Sequence, residues 1–192
     1  MQNPQRRRTL INEVITSAIL RKLQIRVPAS ALIHVSAEFL RDNAEVRIRL
    51  SNGSHRAVLP GLHFGSRLSV DPATKILYDL LPRPVARRIT NQSDFIRTLA
   101  VDKWTGNTDR RQAVFYYNPR LVAEMIDHGL TLGGDSWKFY DAPLAGVHSE
   151  LAVYDEVRSW DDFEPHISLI EAFTRSDLEE ALAQVPLEWY CP

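Results

Sequence analysis

Residues 101–129 read VDKWTGNTDRRQAVFYYNPRLVAEMIDHG, and the fold turns on how this stretch is read. Two short polar clusters, Asn107-Thr108-Asp109 and Asp127-His128-Gly129, flank a region with the marks of a β-hairpin. The run 113–117 is apolar, aromatic and β-branched, Asn118-Pro119-Arg120 is turn chemistry, and 122–126 is apolar again with a single Glu. A hairpin brings its ends together, with paired residues roughly 5 Å apart across the strands. Asp109 and Asp127, far apart in sequence, are therefore expected near each other at its open end. Two such carboxylates can hold a divalent cation between them, or one can bind metal while the other orients a hydroxyl. The competing reading makes both plain loop residues, since Asn, Asp and Gly are ordinary turn formers.

Upstream, Ser93 reads as the N-cap of a helix over 94–105 with Phe95, Ile96, Leu99 and Trp104 inward, which delivers the chain into the Asn107–Asp109 cluster. An earlier helix over 9–23 carries Ile11, Val14, Ile15, Ala18 and Ile19 at helical spacing. Asn12 and Glu13 fall in its first turns, where an acidic side chain suits the helix dipole. Residues 1–8 read as a tail. Strands are expected at 31–35, 46–50 and 57–59, with a helical turn at 36–40, a tight turn at 51–54 and an extended piece at 61–68. Residues 76–81 are apolar, and Pro82 and Pro84 then break the chain, dividing it into parts 1–81 and 82–192. Downstream come a turn at 133–135 and an irregular segment to 144. A helix over 160–173 should bury Ile167, Ile170 and Phe173. A last helix ending near Gln184 opens on a Ser176/Glu179 capping box, and the apolar tail 187–190 docks on the body.

Composition narrows the class. At 192 residues, 44% hydrophobic and 24% charged, the chain is of ordinary globular make-up, enough for one good-sized domain or two small lobes. A net charge of −1 gives no global field toward nucleic acid or an anionic membrane, and the Arg87-Arg88 and Arg110-Arg111 pairs and the run from Arg6 to Arg8 read mostly as solvated surface. Cys191 is the single cysteine, so disulfide frameworks and thiolate clusters are excluded. No apolar run approaches the ~18 residues of a membrane span, and no signal-peptide pattern opens the chain. A cytoplasmic protein is the default reading, with no membrane and no direct nucleic-acid partner.

A helix, a polar loop with Asp, a hairpin, Asp-x-Gly and further helices is the layout of a protein kinase's lower lobe. The segments WTGNTDRRQAVF and MIDHG, with FGSR at 64–67, NEV at 12–14 and DAPL at 141–144, resemble the HipA-like kinase family over nearly the whole chain. The resemblance implies an α+β, protein-kinase-like two-lobed fold whose upper lobe, within 1–81, is truncated at its N-terminus, and a mostly helical lower lobe over 82–192. It implies ATP and Mg²⁺ as cofactors and a protein Ser/Thr hydroxyl as acceptor. Asp109 becomes the catalytic-loop Asp, Asp127 the Mg²⁺-binding Asp and Glu13 the helix Glu near the nucleotide, with Asn107 beside them. The bacterial toxin-type relatives suggest an antitoxin-like or lobe-completing partner.

Two departures from the kinase pattern stand out. The second metal ligand, an Asn five positions after the catalytic Asp, is replaced by Val114, leaving Gln112 as the substitute ligand. Only eight residues precede the first helix and none is Lys, whereas a Gly-rich hairpin and a Lys-bearing strand need roughly 20–30 residues. That predicts an uncovered face on the first helix, an unpaired edge on the 31–35, 46–50, 57–59 sheet, and weak nucleotide affinity. It also suggests that Met1 is an internal start. A non-catalytic binding or regulatory module on the same scaffold is the alternative, and a metal hydrolase using Asp109, Asp127 and His128 a third reading, which lacks a second His at ligand spacing.

Overall fold

The computed structural model describes residues 7–50 and 52–190. Helix α1 (Arg7–Lys22) is buried on every side: from Thr9 to Leu20 only Glu13 is not fully buried. The uncovered face predicted for it does not exist, because α1 packs against the C-terminal helix, the loop that follows the hairpin and the strand 61–66. Its end is a left-handed cap. Gln24 has φ 58°, the Ile25 N–H donates to the Leu20 carbonyl at 2.9 Å and the Gln24 N–H to that of Arg21 at 2.9 Å. This is the Schellman arrangement, sealed by the buried Leu20 and Ile25, and Arg21 and Lys22 in the last turn suit the dipole.

Strand β1 (Ser30–Val35) pairs antiparallel with β4 (Gly61–Ser66), Ser30 opposite Ser66 and Val35 opposite Gly61. Between them lie α2 (Ala37–Asp42), capped by Ser36, and a separate short ribbon of β2 (Arg47–Arg49) with β3 (His55–Ala57). The three-stranded sheet expected from 31–35, 46–50 and 57–59 is thus two ribbons. Arg47 and Arg49 keep β2 in solvent, and the Gly53 turn (φ 80°) returns the chain onto β2 two residues earlier than expected. Ser51, the first residue of the tight turn expected at 51–54, lies outside the described residues, as do residues 1–6, Cys191 and Pro192.

Residues 67–92 are mostly irregular, with Tyr78 bridging Phe115 through two 2.9 Å backbone bonds and a short helix α3 (Arg83–Ala86). Helix α4 (Ser93–Trp104) follows. Ser93 is its first residue and not its cap: the N-cap is Gln92, with no side-chain cap bond, while Asn91 Nδ2 donates to Asp94 Oδ2 at 2.7 Å. The hairpin is β5 (Gln112–Tyr117) and β6 (Leu121–Ile126), Gln112 opposite Ile126.

Past the hairpin come 3₁₀ turns, then α5 (Glu164–Glu171) and α6 (Arg175–Leu182). The capping box belongs to Thr174 and Asp177, two residues before the Ser176/Glu179 pair with the same spacing; Ser176 lies inside the helix. Ile167, Ile170 and Phe173 are half-buried; Ile167 and Ile170 line an open groove against Leu99, Ala100 and Trp104 of α4. Trp189 docks with 4% of its surface exposed while Leu187 stays in solvent.

The main core joins α1, α4 and the alternate hairpin residues Ala113, Phe115, Leu121, Ala123 and Met125. The opposite hairpin face meets only a small cluster of Val70, Tyr116 and Val122. The chain is therefore α+β, built from small antiparallel ribbons and helices, with the hairpin held on both faces.

Candidate active site

The open end of the hairpin joins four segments. Arg111, the residue before β5, is fully buried. Its guanidinium pairs with Asp102 near the end of α4, Nε donating to Oδ2 at 3.0 Å and Nη2 to Oδ1. Nη1 donates across the hairpin mouth to the carbonyls of Ile126 (3.0 Å) and Asp127 (3.3 Å) and to His128 Nδ1 (2.8 Å). Burial works against this charge, but the Asp102 carboxylate more than offsets it, and the Arg111 pKa stands above its ordinary value. One buried cation therefore staples α4, the loop before β5 and the segment after β6.

Asn107 is buried and engaged at both ends of its amide. Nδ2 donates to Asp102 Oδ1 at 3.0 Å, and Oδ1 accepts from the Asp109 N–H at 2.9 Å. Its role is to hold the Asp109 loop. The Asp109 carbonyl accepts from Gly146 N–H at 2.7 Å, and its carboxylate from the Arg110 N–H at 2.7 Å. Asp109 is half-buried and faces two spaces. One is a cleft of about 360 Å³ lined with Gln112, Val114, Ile126 and His148 among others; the second is an open groove of about 610 Å³ formed with Thr108, Arg110 and residues 142–145.

Asp127 is exposed at the hairpin mouth with φ 55°, a left-handed conformation that Asp adopts more readily than most residues. Its carbonyl is fixed by Arg111, and its Oδ2 accepts from Gln112 Nε2 at 2.9 Å. Gln112 thus belongs to the Asp127 cluster and leaves its amide oxygen for another partner. Asp109 and Gln112 share the cleft, and Gln112 in turn binds Asp127, so the hairpin places the three at one end of the ribbon.

Glu13 reaches this end from α1, in its second turn and away from the helix terminus where dipole stabilisation would act. Burial pushes its carboxyl up to about 7; hydrogen bonds from the His128 and Gly129 N–H groups and the charge of Arg111 pull it down, while the charge of Asp127 adds to the rise. A Cβ on Gly129 would come within 3.3 Å of Glu13 Oε1 and of Thr9 Cβ, so glycine permits this close approach. His128 is held neutral, its pKa well below the ordinary value because of burial and then the nearby charges of Arg111 and Arg21. Since Arg111 can only donate to Nδ1, its proton lies on Nε2.

Three parts of the site escape sequence reasoning: Arg111, Asp102 and Asn12. Asn12 Nδ2 donates to the carbonyls of Gly129 (2.8 Å) and Thr131 (2.7 Å), and its Oδ1 accepts from Trp137 Nε1 at 2.9 Å. Two signals in the sequence point there: the polar stripe Thr9, Asn12 and Thr16 on an otherwise mostly apolar helix, and an Asp in the last turn of a helix, against the dipole.

Among the described residues no group of three His, Cys, Asp or Glu side chains is placed to hold a metal. The donors at the mouth are the Asp127 carboxylate and the Gln112 amide oxygen. So sparse a set fits Mg²⁺, which is held through one or two carboxylates plus phosphates and water. The metal-hydrolase reading fails at His128, which is buried and bound by Arg111. No protein-family model matches the chain, and no curated protein matches it.

Proposed function

We propose that the chain is a two-lobed, kinase-like phosphotransferase domain of the HipA-like type, acting in the cytoplasm on a protein Ser/Thr hydroxyl with Mg²⁺-bound ATP. The observation that carries this reading is the position of Asp109, which lines both the cleft shared with Gln112 and the open groove on its other side. A residue that orients an acceptor hydroxyl toward a bound phosphate belongs at such a junction. Asp127 and the Gln112 oxygen would hold the cation. Bound Mg²⁺ supplies neutralisation of the triphosphate charge. Asp109 would accept the hydroxyl proton, the groove beside residues 142–145 would seat the acceptor chain, and Arg111 would keep the two acidic loops in register. The toxin-type resemblance adds an antitoxin-like partner to the proposal.

The competing reading, a non-catalytic module, has its own support. Val114 stands where a second metal ligand belongs, and it is 7% exposed, opposite Glu124 in the hairpin. Three of the four lysines are engaged elsewhere: Lys22 with Asp177 and Glu180, Lys75 with Asn118, and Lys103 with the carbonyls of Ala142, Pro143 and Ala145.

Thermal unfolding with ATP, with and without Mg²⁺, separates the two. A Mg²⁺-dependent rise in Tm that disappears in Asp127→Asn is expected, together with transfer of labelled phosphate that falls 100-fold or more in Asp109→Ala while the shift persists. A metal-dependent shift without any transfer in the wild type supports the module; a full shift in Asp127→Asn overturns the metal assignment.

A further inference from the structure

Helices α4 and α5 leave a groove of about 500 Å³ between them. Leu99, Ala100 and Trp104 of α4 form one wall; Ile167, Ile170 and the preceding Phe163 form the other. Trp160 stands at the lip, 82% exposed. Lys103 contributes only its stem, because its ammonium donates to the carbonyls of Ala142, Pro143 and Ala145, three bonds for three protons. Contiguous apolar surface of this kind, with an indole in water beside it, marks an interaction site.

Spacing along α5 shows how charge is arranged around the groove. His166, and Phe173 just past the helix, are turned toward α4: the imidazole senses the charges of Arg97 and Asp94, and the Phe173 ring lies 5.6 Å from that of Trp104. Ile167 and Ile170 come next around the helix. Glu164 and Glu171 lie beyond them, three residues before Ile167 and four after it. The two glutamates therefore stand two turns apart, roughly 10 Å, along the outer rim. Both are exposed, as is Asp161 beside Trp160, and none of the three carboxylates has an ion-pair partner among the described residues. The nearby cations are engaged: Arg97 donates to the carbonyls of Leu23 and Gln24, Arg158 stands beside Asp162, and Lys103 is saturated. The groove is apolar and its rim is acidic.

We propose that this groove docks an amphipathic helix of a partner protein, one whose apolar stripe fills the groove and whose Lys or Arg residues, seven positions apart, meet Glu164 and Glu171. Trp160 closes over the bound helix as an aromatic anchor. A second copy of the chain is the poorer occupant, since across a two-fold axis it offers only the same acidic rim, and an anionic bilayer is repelled by that rim. The inference stands apart from the kinase-like reading of the hairpin mouth.

The test uses two synthetic peptides of about 18 residues, long enough to form a helix. They share one leucine stripe and differ only in carrying Lys or Glu at two flanking positions seven apart. Titrated into the full chain at low salt, the Lys peptide is expected to bind at least 10-fold more tightly than the Glu peptide, with the tryptophan emission moving to the blue as Trp160 leaves water. The double variant Glu164→Lys/Glu171→Lys should reverse the order of the two peptides. Ile167→Asp should weaken the Lys peptide at least 10-fold, while Trp160→Phe should keep binding and lose most of the emission shift. Equal affinities, no binding of either peptide, or an unchanged preference in the charge-reversed variant overturn the proposal. A wild type that sediments as a dimer and becomes monomeric in Ile167→Asp gives the groove to a second copy and overturns it as well. Binding to anionic vesicles that Ile167→Asp abolishes overturns it in the same way. Glu164 and Glu171 are surface residues, so the charge reversal is read on a folded chain, checked by an unchanged Tm, and it stays decisive should Ile167→Asp fail to fold.

Discussion

Two ribbons of the molecule share one backbone design and differ in everything else. Strands β1 and β4 form a six-residue antiparallel pair in continuous register, and so do β5 and β6. Nine of the twelve hairpin residues are buried; none of the twelve in the β1–β4 ribbon is. Backbone pairing is the same in both, so pairing does not set burial. The hairpin is closed by a three-residue turn and has apolar partners on both faces. The β1–β4 ribbon closes over a 25-residue excursion, touches the core only through half-buried Leu62 and Phe64, and leaves Leu32 and Ile33 in water, 40% and 51% exposed. A two-stranded ribbon is marginal by itself, and the candidate site sits on the one that the rest of the fold makes rigid.

The largest test of this contrast removes the staple at the hairpin mouth. Asp102→Asn leaves the Arg111 guanidinium buried without its counter-charge. Breaking a buried pair in that way costs about 3–5 kcal/mol, a large share of a small domain's stability. The urea midpoint should drop accordingly, with the segment around 126–128 losing hydrogen-exchange protection first. A midpoint within about 1 kcal/mol of the wild type would mean that Arg111 is not the element that fixes the mouth.

How far the sequence discloses this contrast depends on the range of the interaction. The hairpin is legible because its causes are local: an Asn-Pro-Arg turn between two apolar runs sets both strands within one residue of the observed bounds. Helix α4 is legible for the same reason. The partner of β1 is not, since it lies beyond α2 and another ribbon, and nearest-neighbour pairing pointed to the wrong strand. Arg111 reads as surface in an Arg-Arg pair, because its burial depends on an Asp nine residues earlier and on carbonyls from the far strand. Glu124 is visible as the single charge in β6, but that one of its oxygens lacks a partner is a property of the packed structure alone. The hairpin reading brings Asp109 and Asp127 to one end of the ribbon, and Gln112 enters only as the substitute ligand that the resemblance implies; the hydrogen bonds that hold and orient them are not legible in the sequence.

A second test is titration of the hairpin end. The Glu13 carboxyl stands at about 7 when folded, against an ordinary value of 4.5. The folded state therefore holds a proton that the unfolded state releases between these values. The stabilisation is fully present below about pH 4.5 and is lost as pH rises through 7. Glu13→Gln mimics the protonated form and can still accept from the His128 and Gly129 N–H groups. In metal-free protein the two chains should be nearly equal at pH 4, and the variant should gain roughly 3 kcal/mol over the wild type by pH 8. Parallel stability curves across that range would show that Glu13 is ionised throughout.

The smallest expected effect is on the other ribbon. Ile33 is half exposed on β1, and a lysine there places a charge on a strand whose outer edge has no partner among the described residues. Substitution at an exposed position away from caps and networks changes stability by about 0.5 kcal/mol or less. Ile33→Lys should accordingly leave the urea midpoint in place. The same charge blunts an edge that another chain could extend, so any concentration-dependent association of the wild type, read by sedimentation at several loadings, should weaken. Loss of more than about 1 kcal/mol from Ile33→Lys would show that β1 is packed as tightly as β5, and the contrast between the two ribbons would vanish.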